Sequence, residues 1–232
     1  MTKHYRAVVV GASGAVGTAL TAELLGSPFC DEVAILTRRH FRRFSSFRGS
    51  SKLNQFVVDF GRLEKETIAV AGGYDVAFCT MGVGQPRKLS PEEVWRVDVE
   101  FATAFARGAK SSGVRHISLL SSAGADATSR NRYLLVKGAA EKGVLIAGIE
   151  RTSLFRPSLL VTPEIRYGLQ DRVTRLLFPI IAPLLPSRFH QVPVEDLGRA
   201  MRINAEITSS EAVEILHYKN FVDLLARSAS RS

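Results

Sequence analysis

The sequence predicts an α/β protein built on a doubly wound parallel sheet with helices on both faces. Three observations carry that prediction. Short, almost wholly apolar runs recur along the chain, as strands covered on both faces require. Segments of helical period lie between them. The first apolar run breaks at once into GASGAVG, Gly11 to Gly17, and then into a helical pattern. The chain has 232 residues, 46% of them hydrophobic, enough for one large α/β domain with a sizeable core.

YRAVVV, ending at Val10, is the first strand. AVGTALTAELLG then places Val16, Leu20, Leu24 and Leu25 close to helical spacing, and Gly26 with Pro28 stops the helix. VAILT (Val33 to Thr37), QFVVDF (Gln55 to Phe60) and DVAFCT (Asp75 to Thr80) are the next three strands. A long helix is expected over Ser90 to Ser111. It opens with a serine cap, proline at its first position and acids in its first turn. HISLLSS, His116 to Ser122, is a fifth strand; a helix should carry Asn131 to Lys142; SLFRPSLLV, Ser153 to Val161, is a sixth strand. Beyond it, Pro163, Pro179, Pro183, Pro186 and Pro193 break the pattern, which predicts a small C-terminal, substrate-side cap at about 164–194 within the same single domain. A final helix is expected after Thr208, with Ala212, Ile215 and Leu216 facing inward, and then a frayed end.

Composition narrows the function classes. Cys30 and Cys79 are too few for a disulfide framework and form no CxxC pair, so no zinc or other metal is expected. They read as small apolar residues in a reducing, cytoplasmic setting. The N-terminal apolar run is too short for a signal peptide. Leu176 to Leu185 is half the length of a membrane span and carries two prolines. A soluble chain without a transmembrane segment is expected, with that stretch a candidate contact for lipid, substrate or partner. The net charge is +9, yet the excess is uneven: Arg38 to Lys52 holds six Arg or Lys and no acid. That stretch is either a mobile, solvated loop or, at its start, a site for an anionic cofactor. No recognised nucleic-acid module accompanies it, which argues against nucleic acid as a partner.

The glycine string has a chemical reading. Gly11 permits a sharp turn, Gly14 lets the backbone approach a pyrophosphate, and Gly17 lets helix and strand pack closely. The N–H groups at the helix start can receive phosphates. The spacing is GxxGxxG with no GK[ST] after it, which sets aside a triphosphate loop. Arg38 and Arg39 end the second strand, where an NAD site usually offers an acid to the ribose hydroxyls. Two guanidinium groups instead suit a 2′-phosphate, so NADP(H) is the expected cofactor. Asp59 either accepts from the adenine amino group or caps a turn. Met81 and Gly82 either border the adenosine and phosphates or, for Met81, fill core.

The reacting groups lie in SSAGADATSRNRYLLVKG, Ser121 to Gly138. Tyr133 and Lys137 are four apart and share one helical face. A phenol titrates near 10, and a neighbouring ammonium lowers that value. Tyr133 can then act as proton donor or acceptor. A serine hydroxyl can hold the carbonyl on which negative charge develops. Ser122 and Ser121, eleven and twelve residues before Tyr133, are the candidates, with Ser122 preferred and the choice left open.

On GASGAVG, Arg38-Arg39, VVDF, SSAG and YLLVK, with FRP at 155–157 and VPVEDLGRAM at 192–201, the chain resembles the short-chain dehydrogenase/reductase superfamily in its atypical branch. VVDF, FCTMG, WRVD, LLSSAGAD with YLLVKG, and FRP make it similar, within that branch, to the Tat-interacting tumour-suppressor oxidoreductases. The resemblance implies a Rossmann-like fold holding NADP(H). Gly11, Ser13, Gly14, Ala15, Val16 and Gly17 would line the phosphates, and Arg38 and Arg39 would take the 2′-phosphate. Tyr133 would be the proton donor and acceptor, with Lys137 as its partner. Backbone near Arg156 and Pro157 would border the nicotinamide. One departure stands out: Asp98 occupies about the place where many superfamily members carry an asparagine that supports the lysine.

The expected substrate is a small-molecule carbonyl or alcohol. Leu176, Leu177, Phe178, Ile180, Ile181, Leu184, Leu185 and Phe189 would give it an apolar roof, or pack against the body instead. Arg166, Arg172, Arg175 and Arg188 would attract an acidic substrate or solubilise the cap, and His190 reads as a surface or core residue. Two functions follow: an NADP(H)-dependent oxidoreductase, or an NADPH-binding sensor that contacts a protein partner with little or no catalysis. No face identifies an oligomeric state.

Overall fold

The computed structural model describes residues 4–83, 88–161 and 191–229. The strands are β1 (Tyr5–Val10), β2 (Cys30–Thr37), β3 (Leu53–Val57), β4 (Val76–Cys79), β5 (His116–Leu120), β6 (Arg151–Phe155), β7 (Leu159–Val161), β8 (Gln191–Pro193) and β9 (Val213–Leu216). Seven of them form one sheet in the order β3-β2-β1-β4-β5-β6-β9, with every pairing parallel. β7 and β8 form a separate parallel pair. The helices are α1 (Ala15–Gly26), α2 (Leu63–Val70), α3 (Pro91–Trp95), α4 (Phe101–Ser111), α5 (Arg132–Ile146), α6 (Val194–Glu206) and α7 (Tyr218–Ala229).

The β1 valines explain the layering. Val8, Val9 and Val10 are all fully buried, because alternate residues enter opposite cores. Ala7 and Val9 face a cluster with Leu20, Leu24, Leu197, Met201 and Phe221, from α1, α6 and α7. Val8 and Val10 face Leu63, Ala102, Phe105 and Ala106, from α2 and α4. Strand order reverses between β1 and β4, which opens a crevice at their carboxyl ends.

Several expectations need correction. The final helix does follow Thr208, as α7, but it starts only at Tyr218, and Val213–Leu216, expected within it, is a strand on the free edge of β6. Ala212 and Ile215 are exposed, and only Leu216 is buried. The edge of β6 supplies backbone partners to this segment, and the Glu214 carboxylate accepts hydrogen bonds from Arg151, Ser153 and Asn204. The expected sixth strand breaks after Phe155, before Pro157 resumes the chain toward β7. The third strand ends at Val57, because Asp59 caps the following turn by accepting from the Gly61 N–H at 2.8 Å. α6 was not anticipated as a helix; it buries Leu197, Ala200 and Met201 against α1.

Arg38 to Lys52 exposes its arginines to solvent but is wound and anchored to the core. Phe41, Phe44 and Phe47 recur every third residue, the period of a 3₁₀ turn, and Arg42–Ser46 forms one. Phe44 is fully buried and meets Phe41 and Phe47 edge to face. The Lys52 ammonium donates to the carbonyls of Ser27 and Cys30 at 2.7 and 3.0 Å. Cys30 and Cys79 are buried and unpaired, and burial pushes both thiols up to about 12. No described helix is long and apolar enough to cross a membrane. Residues 164–190 of the expected cap, with its apolar stretch, its arginines and His190, lie outside the described residues.

A buried polar network sits away from the crevice, at the start of β5. The His116 ring lies 2.9 Å from Ser153 Oγ, which donates to Glu214 at 2.7 Å. Burial, helped by the charge of Arg151, holds His116 down at about 3. Burial works against the Glu214 carboxylate, but hydrogen bonds from Ser209 and Ser153 and the charge of Arg151 outweigh it and hold it at about 2. Both groups therefore take up protons more readily when unfolded, and both contributions to stability shrink on acidification. His116 loses its share as pH falls from its ordinary 6.5 toward 3, and Glu214 loses its share from 4.5 toward 2. Urea unfolding should show stability declining below about pH 6.5, and His116→Asn should flatten the decline between pH 6.5 and 4.5. An unchanged slope in the variant would contradict this account.

Candidate functional site

The site begins where β1 ends. Gly11 has φ +85°, and a Cβ there would lie 2.6 Å from the Met81 nitrogen. Only glycine fits both the angle and the approach. The Gly14 N–H donates to the Gly11 carbonyl at 3.0 Å, closing the turn. A Cβ on Gly17 would lie 2.2 Å from that same carbonyl and 2.6 Å from Thr80 Oγ1, so this glycine lets α1 cross directly over β1 and β4. The first turn of α1 carries no acid and no side-chain cap. Its N–H groups thus suit an anion.

A cleft of about 690 Å³ opens there. The glycine turn, from Gly11 to Gly14, forms its floor. Arg38 and Arg39 flank it, and Met81 and Gly82 border it beyond β4. Val97 and Phe101 close the side toward α4. Of the residues expected to line the phosphates, Gly11, Ser13 and Gly14 do line the cleft; Val16 and Gly17 are buried behind it, and Ala15 is partly buried in the first turn of α1. Asp59 is not part of the lining: its carboxylate caps the next turn, and Phe60 faces the cleft instead. Arg43, which sequence reasoning did not single out, also lines the cleft and donates to the Ser13 carbonyl at 2.8 Å. The triplet spacing of the phenylalanines was the available signal, because it marks a wound turn that can bring residue 43 back to the glycines.

The second half of the site follows β5. The Ser121 hydroxyl donates to the Glu141 carboxylate at 2.5 Å. Glu141 also accepts from the Arg156 guanidinium at 2.8 and 2.6 Å. The Ser121 hydroxyl and the Arg156 side chain are therefore committed to one buried carboxylate. Ser122 is buried too, and among the described residues its hydroxyl reaches only the adjacent Ala123 carbonyl, at 3.5 Å. The Pro157 carbonyl accepts from the Ala123 N–H at 2.8 Å, which ties the FRP backbone to the serine turn.

α5 is placed by its start and by one glycine. Asn131 caps it, accepting from the N–H groups of Tyr133 and Leu134 at 3.0 and 3.3 Å. A Cβ on Gly138 would lie 2.1 Å from the Ala127 nitrogen, so the helix presses against the serine loop. Tyr133, Lys137 and Glu141 follow one another at four-residue steps along a single face. Tyr133 is half exposed, and the Lys137 ammonium lies 6.0 Å from the centre of its ring.

Lys137 is buried and paired with Asp98 at 2.5 Å, while the other Asp98 oxygen accepts from the Val83 N–H at 2.9 Å. Burial opposes the ammonium, but the Asp98 carboxylate outweighs it and raises the lysine above its ordinary 10.5. Asp98 reaches this position because the expected long helix is interrupted. α3 starts with the expected cap, in which Ser90 and Glu93 bond each other's backbone N–H. Arg96–Glu100 then widens into a π-helical turn before α4. Such turns re-aim side chains and recur at functional sites. Here the turn buries Asp98 and Val99 and leaves Val97 on the cleft. A second cavity of about 250 Å³ lies beside it, lined by Val83, Leu89, Pro91, Val94, Val136, Asp98, Arg132 and Tyr133. It adjoins the cleft through the consecutive residues Gly82–Val83 and Val97–Asp98.

Comparison with known proteins agrees with this geometry. A family model described as NAD(P)H-binding matches residues 11–167. Protein HTATIP2 of Rattus norvegicus is 34% identical over 216 residues, covering 93% of this chain and 87% of that protein. The mitochondrial protein fmp52 of Emericella nidulans is 28% identical over 153 residues, covering 66% of this chain and 65% of its own length. Among solved structures, vestitone reductase from alfalfa superposes with a TM-score of 0.66 at 20% identity, covering 98% of this chain and 83% of that one. MoeE5 in complex with UDP-glucose and NAD gives a TM-score of 0.68 at 16% identity, with 97% and 82% covered. At those identities the two structures speak for the fold alone. The family match and the near full-length relative together decide the affiliation: this chain belongs to the NAD(P)H-binding family, as an atypical short-chain dehydrogenase/reductase.

Proposed function

We propose that the protein is an NADP(H)-dependent oxidoreductase acting on a small, apolar carbonyl or alcohol. One observation carries the reading: Tyr133 and Lys137 share a face of α5 where the dinucleotide-sized cleft adjoins a smaller apolar cavity. The cleft fits the cofactor chemically. It has an uncapped helix start for the pyrophosphate and two guanidinium groups, Arg38 and Arg39, for a 2′-phosphate. When bound, NADP(H) would supply or accept the hydride. Ser122 would donate a hydrogen bond to the carbonyl oxygen, since the Ser121 hydroxyl is held by Glu141. Tyr133 would transfer its phenolic proton to that oxygen as the carbon is reduced, and recover it in the reverse direction. Lys137 would favour the phenolate left behind.

A second reading, an NADPH-binding sensor with little turnover, draws on a specific feature. The Asp98 carboxylate neutralises much of the field that Lys137 would otherwise exert on Tyr133. The deciding experiment titrates the protein with NADPH and NADH and then offers a panel of apolar aldehydes and ketones. The expected result is NADPH binding at least about tenfold tighter than NADH, as a charge-assisted phosphate contact provides, and turnover on some panel members. Tight binding without turnover would favour the sensor. No NADPH binding would remove both readings.

A further inference from the structure

Among the three arginines on the cleft, Arg43 is held in a way that Arg38 and Arg39 are not. Its Nη2 donates to the Ser13 carbonyl at 2.8 Å and to Thr18 Oγ1 at 3.0 Å. Its guanidinium also lies over the rings of Phe41 and Phe44, at 5.3 and 5.2 Å. Phe44 is fully buried, so this platform is part of the core. Among the described residues, Arg39 has only a contact with the Phe41 ring, at 5.1 Å, and Arg38 makes no hydrogen bond or ion pair.

The partners of Arg43 are a carbonyl, a hydroxyl and two aromatic faces. None is a carboxylate, and the stretch from Arg38 to Lys52 contains no acid at all. An ordered guanidinium at a cleft wall, with no carboxylate paired to it among the described residues and N–H donors remaining, is prepared for an anion. Arg43 lines the cleft together with Arg38 and Arg39, and it shares the Phe41 ring with Arg39, at 5.3 and 5.1 Å, which points to the anion those two arginines would take. We propose that Arg43 is a specificity-determining residue for the cofactor, a pre-ordered third cation for the phosphomonoester on the adenosine ribose. The pyrophosphate, by contrast, is common to both dinucleotides and is served by the start of α1. Because Arg43 is already immobilised, binding through it loses little side-chain freedom. This inference rests on the reading of the cleft as an NADP(H) site.

The test uses the whole chain and fragments that lack the nicotinamide. Affinities for 2′,5′-ADP, 5′-ADP, NADPH and NADH are measured on the wild type, Arg43→Leu and Arg43→Lys. In Arg43→Leu, 2′,5′-ADP and NADPH should weaken at least about tenfold, while 5′-ADP and NADH change by less than about threefold. Arg43→Lys should recover part of the loss. Equal weakening of all four ligands would overturn the proposal, because Arg43 would then be a bolt for the glycine turn or a pyrophosphate ligand. Unchanged affinities would overturn it as well. In both cases a wild type that still prefers NADPH leaves the Arg38–Arg39 reading standing. A wild type without that preference refutes the NADP(H) reading itself.

Discussion

Replacing Tyr133 with phenylalanine lowers turnover by about a thousandfold and leaves NADPH affinity within about threefold of wild type. General acid–base catalysis by a positioned side chain contributes about 10²–10⁴ in rate. A thousandfold loss corresponds to about 4 kcal/mol of transition-state stabilisation. The substitution removes one hydroxyl and nothing else. Tyr133 is 48% exposed at the start of α5, and its backbone N–H stays bound to Asn131, so the fold is not at stake. The measurement is a steady-state rate with the best substrate of the panel, beside a cofactor titration. A variant retaining more than about a tenth of wild-type turnover would show that the proton travels by another route.

Replacing Asp98 with leucine destabilises the protein by about 3–5 kcal/mol, the cost of leaving one member of a buried ion pair alone. Asp98 and Lys137 are 5% and 9% exposed, so water cannot readily take the place of the lost carboxylate. The Val83 N–H loses its acceptor in the same variant. For a chain of this size the deficit should lower the melting temperature by roughly 10 °C. Its pH dependence has a definite sign. Lys137 is raised above its ordinary 10.5, so the stability contributed by pairing its charge is complete below that value and is lost only as pH rises through the folded value. Between pH 7 and 9 this pair therefore leaves the wild-type urea midpoint unchanged, whereas the variant, whose ammonium is buried without its carboxylate and so is pushed down, should regain part of the deficit as pH rises. Asp98→Asn should cost less, because the amide oxygen can still accept from Val83. A leucine variant as stable as wild type would mean that the pair contributes nothing net to the fold.

The parts of the fold that could be read from the chain were those written in local period. Val8 to Val10 are apolar on consecutive residues because they face two cores. Gly11, Gly14 and Gly17 mark a turn whose geometry excludes side chains. The β9 segment escaped because its four residues form a strand only beside the edge of β6, and taken alone Ala212, Ile215 and Leu216 mimic a helical spacing. The π-helical turn at Arg96–Glu100 escaped because its sequence is compatible with an ordinary helix, and the contacts of Asp98 with Lys137 and Val83 that accompany the wider turn are long-range.

The sequence by itself determined the glycine turn, the arginine pair that follows β2, and the four-residue step from Tyr133 to Lys137. Each depends on neighbours within a turn or two of backbone. The tertiary structure alone decided that the Ser121 hydroxyl is bound to Glu141, how the lysine charge is balanced, and which third arginine reaches the cleft. Those outcomes rest on Ser121 with Glu141, Asp98 with Lys137, and Ser13 with Arg43, pairs 20, 39 and 30 residues apart. Contacts at that separation exist only after the sheet has brought its loops together, and hydrogen bonds and charges act only over the distances that result.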